Sequence, residues 1–132
     1  MTKPYHVILW IDHKEATVFD VGGENRIGRV ENAVGDTHLH HRAGAMGSGH
    51  AHEDEHYLKA VTEALATAHE IVVTGPAQAK FELMRWMKGN APQTAAKVLG
   101  IETLDHPTDG ELLAFAKRYF HAKDRMTPQL PR

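Results

Sequence analysis

A histidine- and glycine-rich segment separates two regular hydrophobic patterns in this sequence and so divides the chain into two structured parts. Six of the eleven histidines lie between His38 and His56, and three glycines accompany them. Small and polar residues of this kind cannot form a packed core. We therefore predict a loop at residues 35–52, and an irregular insertion of that length in a compact domain is usually functional or disordered.

Before the loop, the sequence predicts three antiparallel strands. Residues 5–11 and 16–21 are rich in β-branched and aromatic side chains, and the polar stretch 12–15 between them favours a hairpin. A glycine-containing turn follows at 22–25. We predict the third strand over 26–34.

After the loop, the hydrophobic period changes to that of a helix. Apolar residues recur at helical spacing from Tyr57 to Ala68, which predicts a helix there. The apolar run 71–74, closed by Gly75 and Pro76, is typical of a strand buried on both faces. Pro76 suits the first position of a second helix.

The remaining chain alternates helix, strand and helix. Three apolar residues of the second helix have the spacing of a core-facing stripe, and we expect them to be buried: Phe81, Met84 and Met87. A strand is predicted over 96–104. Thr108 and Glu111 have the spacing of a capping box, which predicts that the last helix begins there. We expect a flexible tail from about residue 122.

The predicted order is β-β-β-loop-α-β-α-β-α in a single domain over residues 1–132. A meander followed by alternating helices and strands indicates a mixed sheet flanked by helices, an α/β (α+β) architecture. Ribonuclease-H-like folds have this order of elements, and we predict that architecture.

Composition narrows the class of protein. The chain has no cysteine, so disulfides and thiolate metal sites are excluded. A formal net charge of −2 with neutral histidines gives no global basic field for nucleic acid. The apolar run near the start is too short for a signal peptide or a membrane span, so we expect a cytoplasmic protein with no membrane partner.

The loop histidines can supply metal ligands. His50, His52 and His56 offer imidazole nitrogens of the kind that bind zinc. A zinc-dependent hydrolase is therefore one hypothesis, with zinc as its cofactor. Ligand-type residues without fixed spacing are weak evidence for a metal, so we expect no cofactor as the first hypothesis.

A two-metal nuclease on a ribonuclease-H-like sheet needs carboxylates at the ends of the first strand and of the central parallel strand. Asp12 follows the first strand, but the central strand ends in Thr74, Gly75 and Pro76. We therefore interpret Asp12 as a turn residue that bonds nearby backbone. We expect no catalytic residues, and an enzyme is the less favoured class.

Three parts of the chain resemble the middle domain of archaeal and eukaryotic release factors and of Pelota-type ribosome-rescue factors. They are WIDHKEA at 10–16, HHRAGAMGSGHAHEDEHYLKAV at 40–61, and IVVTGPAQAK at 71–80. The last is similar to the family's strand followed by Gly-Pro-x-x-x-Lys. Small bacterial proteins described as translational machinery proteins are also similar to this chain.

The resemblance implies a translation-associated factor that binds the ribosome or tRNA through the loop, with a protein partner also possible there. In release factors this loop carries a Gly-Gly-Gln tip that promotes hydrolysis of peptidyl-tRNA. The corresponding stretch 42–49 contains no glutamine, so we expect binding without hydrolysis. A protein–protein interaction module is a third hypothesis. The implied contact residues are His40, His41, Arg42, Gly44, Met46, Gly47, Gly49 and Lys80.

Overall fold

The computed structural model describes residues 4–33 and 55–126. The described elements are, in chain order, β1 (His6–Ile11), β2 (Glu15–Asp20), β3 (Asn25–Glu31), α1 (Glu55–Ala64), β4 (Glu70–Gly75), α2 (Ala79–Asn90), the short α3 (Pro92–Ala95), β5 (Val98–Thr103) and α4 (Asp109–Met126). The loop predicted at 35–52 lies outside the described residues.

The described strands form a five-stranded mixed sheet in the order β3-β2-β1-β4-β5. β2 pairs antiparallel with both β1 and β3, whereas β4 pairs parallel with both β1 and β5. This arrangement confirms the predicted α+β mixed sheet of ribonuclease-H-like order. β1 and β4 lie in its interior, which agrees with their nearly continuous apolar sequences.

Helices cover both faces of the sheet. Side chains alternate between the two faces along each strand, so the central strands contact helices on both sides. α1 and α2 pack on one face, where they meet Val7, Leu9 and Ile11 of β1. α4 packs on the other face, where Leu112, Ala116 and Phe120 meet a second set of sheet residues: Ile8, Trp10, Phe19, Val21 and Val72. The central strands therefore contribute to two separate clusters.

The capping box of α4 is confirmed. The backbone nitrogen of Glu111 donates to Thr108 Oγ1 (3.1 Å), and the backbone nitrogen of Thr108 donates to Glu111 Oε1 (2.9 Å). α4 then continues to Met126, past the point near residue 122 where we placed the start of the tail. No helix in the described ranges is long and apolar enough to cross a membrane.

Met84 and Met87 of α2 are buried as predicted, but two other predictions for this helix are wrong. The helix begins at Ala79, so Pro76 is not its first residue. Phe81, expected in the core, is 42% exposed, whereas Leu83 is fully buried. The buried stripe of α2 runs through Ala79, Leu83 and Met87, and Phe81 falls outside it.

Candidate functional site

Asp12 organises the turn between β1 and β2. Its Oδ1 accepts hydrogen bonds from the backbone nitrogens of Lys14 (2.8 Å) and Glu15 (2.9 Å). The backbone nitrogen of Asp12 donates in turn to the carbonyl of Glu15 (2.9 Å). These contacts confirm the interpretation of Asp12 as a turn residue.

The chain on both sides of the histidine-rich segment bonds to this turn. On the amino-terminal side, the backbone nitrogen of Asn32 donates to Lys14 O (2.8 Å), and the side-chain amide of Asn32 donates to His13 O (2.9 Å). On the carboxyl-terminal side, the hydroxyl of Tyr57 donates to Asp12 O (2.8 Å). The described body therefore holds both flanks of residues 34–54 at the carboxyl end of β1.

A surface cleft of about 390 Å³ adjoins the same turn. It is lined by Asp12, His13, Lys14, Glu15, Pro76, Ala77, Ala79 and His106. Its walls thus come from the turn after β1, the turn after β4 and the connection from β5 to α4. Ligands of open sheets that contain parallel strands commonly bind outside the carboxyl ends of the strands, which is where this cleft lies.

His106 stands at the rim of the cleft between two carboxylates. Its Nδ1 lies 3.0 Å from Asp105 Oδ1, and its Nε2 lies 3.7 Å from Asp12 Oδ2. The ring also contacts the indole of Trp10, with 5.1 Å between centroids. A second cleft of about 200 Å³ lies beside Trp10 and His106 and also includes Arg26. Acidic and basic groups of this kind can bind polar ligands of either sign.

Trp10 fixes the connection that carries His106. Its indole is 6% exposed, and Nε1 donates to the carbonyls of Leu104 (3.3 Å) and Asp105 (3.0 Å). Trp10 and Asp105 are 95 positions apart in the chain. Sequence reasoning missed both Trp10 and His106 as cleft residues, because no local pattern connects positions so far apart.

Lys80, which we predicted to contact RNA, is buried at the start of α2. Lys80 is 2% exposed. Its Nζ donates to Ala77 O (2.6 Å) and lies 4.7 Å from the centroid of the Phe81 ring. Desolvation by burial lowers the pKa of Lys80. The ammonium group thus contacts the backbone turn that follows β4, and RNA contact by Lys80 stays a prediction.

The other predicted contact residues lie in a part of the chain that the structure does not describe: His40, His41, Arg42, Gly44, Met46, Gly47 and Gly49. The same holds for the predicted zinc ligands His50 and His52. His56 is described, and it is exposed in the first turn of α1. RNA binding and zinc binding through these residues both stay predictions.

The chain shares its fold with part of three solved archaeal proteins. It matches Pelota from Archaeoglobus fulgidus with a TM-score of 0.62 and 17% identity, over 92% of this chain and 33% of that one. It matches Pelota from Thermoplasma acidophilum with a TM-score of 0.61 and 19% identity, over 93% of this chain and 36% of that one. It also matches the archaeal translation termination factor aRF1 with a TM-score of 0.53 and 14% identity, over 91% of this chain and 39% of that one.

These matches confirm, at the level of the fold, the resemblance to the middle domain of release factors and Pelota-type proteins. The chain spans between a third and two fifths of the length of the three matched chains. No protein-family model matches the sequence, and neither does any curated protein.

Proposed function

We propose that this protein is a translation-associated factor that binds the ribosome or tRNA through its histidine- and glycine-rich segment. The observation that carries the proposal is the fold shared with two Pelota proteins and with the termination factor aRF1 over more than nine tenths of this chain. The proposal concerns the activity of one domain, since the matched proteins are much longer than this chain. A protein partner on the ribosome belongs to the same proposal.

The attachment of the segment supports this function. Asn32 on one flank and Tyr57 on the other both bond to the β1–β2 turn. Because both flanks of the segment are anchored, less conformational entropy is lost when the segment binds a partner. The described scaffold is therefore suited to present one segment to a large partner.

Electrostatics also favour contact through this segment. Arg42 carries a permanent positive charge, and histidines gain charge as the pH falls towards 6. Cationic side chains release counterions when they contact phosphates, so the binding should weaken with salt. α1 begins with Glu55, which disfavours RNA contact along that helix.

The proposed binding occurs without hydrolysis of peptidyl-tRNA. Residues 42–49 contain no glutamine, whereas the family's hydrolytic tip is Gly-Gly-Gln. Lys80 is 2% exposed and donates to Ala77 O, so it positions the turn after β4; its predicted contact with RNA stays part of this proposal.

Cosedimentation of the purified full chain with ribosomes across a salt series tests the proposal. We expect saturable binding at low salt that weakens as salt rises, and a loss of affinity of about tenfold or more when cationic contacts are removed by the triple variant His40→Ala/His41→Ala/Arg42→Ala. The matched control is Arg118→Ala/His121→Ala, which removes the same residue types from exposed positions of α4. The control should bind like the wild type.

Two results would overturn the proposal. One is the absence of saturable binding at low salt. The other is equal affinity of the wild type and the triple variant, because binding would then occur through another surface. Hydrolysis of peptidyl-tRNA by the purified protein would contradict the non-catalytic part of the proposal.

A further inference from the structure

Three metal-ligand side chains meet at the amino-terminal end of β1, away from the cleft. They are His6, Glu70 and Asp124, and each offers one ligand atom within 4.8 Å of the other two. His6 and Glu70 are partly exposed, and Asp124 is exposed. The group therefore lies near the surface of the described structure.

The fold itself brings these residues together. His6 and Glu70 are directly paired residues in the parallel register of β1 and β4, so their side chains lie next to each other on one face. That face is the one covered by α4, as Val72 and Phe120 show by packing in the same cluster. Asp124 follows Phe120 by four positions and therefore lies on the same side of α4.

The surroundings of His6 Nε2 are compatible with a metal ligand. This nitrogen is inaccessible to solvent and makes no hydrogen bond within the described part of the chain. Glu70 Oε1 lies 3.1 Å from this nitrogen. Two ligands of a tetrahedral zinc ion, each at about 2.0–2.1 Å, lie about 3.3 Å apart with their lone pairs converging on the ion. The observed separation is close to that value.

The surroundings also suit a divalent cation. Two carboxylates balance a charge of 2+, and a neutral imidazole adds a nitrogen ligand. The ring of Phe120 packs 4.3 Å from that of His6, centroid to centroid, and Tyr5 meets the His6 ring edge-on at 4.9 Å. These aromatic contacts hold the imidazole in place, as the supporting groups of metal sites do.

We propose that His6, Glu70 and Asp124 bind one divalent transition-metal ion of the zinc type. The ion joins the amino-terminal edge of the sheet to the carboxyl-terminal part of α4 and keeps a coordination position for water. One nitrogen and two carboxylate oxygens favour zinc or its neighbours over calcium and magnesium, which prefer a larger set of oxygens. The three residues lie outside the histidine-rich segment in the sequence.

The test uses the full chain in a background that removes competing imidazoles. In this background, asparagine replaces the six histidines of the segment and its flank: His38, His40, His41, His50, His52 and His56. Equilibrium dialysis measures Zn²⁺ bound per chain, and the visible absorption of bound Co²⁺ reports the coordination. We expect one Zn²⁺ per chain. Loss of an outer-shell group that supports a ligand costs about 10–100-fold in metal affinity. Asp124 is a direct ligand in this proposal, so Asp124→Asn should weaken binding by about tenfold or more.

Glu70→Gln is the second variant, and it should weaken binding to a similar extent. The matched control is Asp105→Asn, which alters the carboxylate 3.0 Å from His106 Nδ1 and should leave the zinc affinity unchanged. Far-ultraviolet circular dichroism of each variant confirms that it is folded. Asp124 is exposed, so its amide variant is expected to fold.

Absence of stoichiometric zinc in the background chain would overturn the proposal. Equal affinity of the background chain and its Asp124→Asn variant would also overturn it, because the ion would then be held elsewhere. Neither result depends on ribosome binding, since the test lacks the histidines on which that function is proposed to rest.

Discussion

Replacement of Gly75 by alanine tests how closely β1 and β4 approach each other beside the cleft. A Cβ at this position would lie 2.1 Å from the carbonyl oxygen of Ile11, so the backbone of one strand would have to move. Overpacking of a core typically costs about 1–3 kcal/mol. With an unfolding entropy of about 2.1 cal/mol/K per residue and 132 residues, this corresponds to a fall in Tm of about 4–11 °C. Calorimetry measures it directly.

Gly89→Ala is the matched control, because a Cβ there meets nothing within 4 Å. Gly89 lies inside α2, where alanine is favoured over glycine by about 0.5–1 kcal/mol. The control should therefore melt at the same temperature as the wild type or slightly above it. If Gly75→Ala also melts within about 1 °C of the wild type, the strands separate without cost and the close-packing argument is refuted.

Tyr57→Phe removes the hydrogen bond to Asp12 O and should lower the free energy of unfolding by about 0.5–1.5 kcal/mol; an unchanged urea midpoint would contradict this role. Lys80→Met tests the lowered pKa of the buried ammonium. Because the folded pKa lies below the unfolded value near 10.5, the wild type should gain stability relative to the variant as pH rises through that window, and lose it as pH falls through the folded pKa. A stability difference that stays constant from neutral pH to pH 11 in urea titrations would be incompatible with that shift.

Elements defined by local patterns could be predicted from the sequence. The capping box at Thr108 and Glu111 needs only two residues at a fixed spacing, and it is confirmed. The hairpin of β1 and β2 likewise follows from two β-rich runs around a short polar turn. The short helix α3 was not predicted, because four residues are too few to show a helical period.

The phase of α2 and the composition of the cleft depend on distant contacts. Phe81 and Leu83 are both apolar, and only packing against the sheet decides that Leu83 is buried. The contact of Trp10 with Asp105 joins the end of β1 to the chain after β5. The pairing of His6 with Glu70 depends on the register of two strands, and neither of the two sequences specifies that register alone.

The position of β1 between β2 and β4 also has a consequence for synthesis of the protein. One edge of β1 can pair at once with β2, but the other must wait for β4, whose Thr74 donates to Leu9 O from 65 positions away. Until then, β1 presents a row of unpaired backbone groups and apolar side chains on both faces, and such edges are prone to aggregation. Pairings between distant segments also form slowly. A nascent chain that holds only the first three strands should therefore need protection until β4 has emerged.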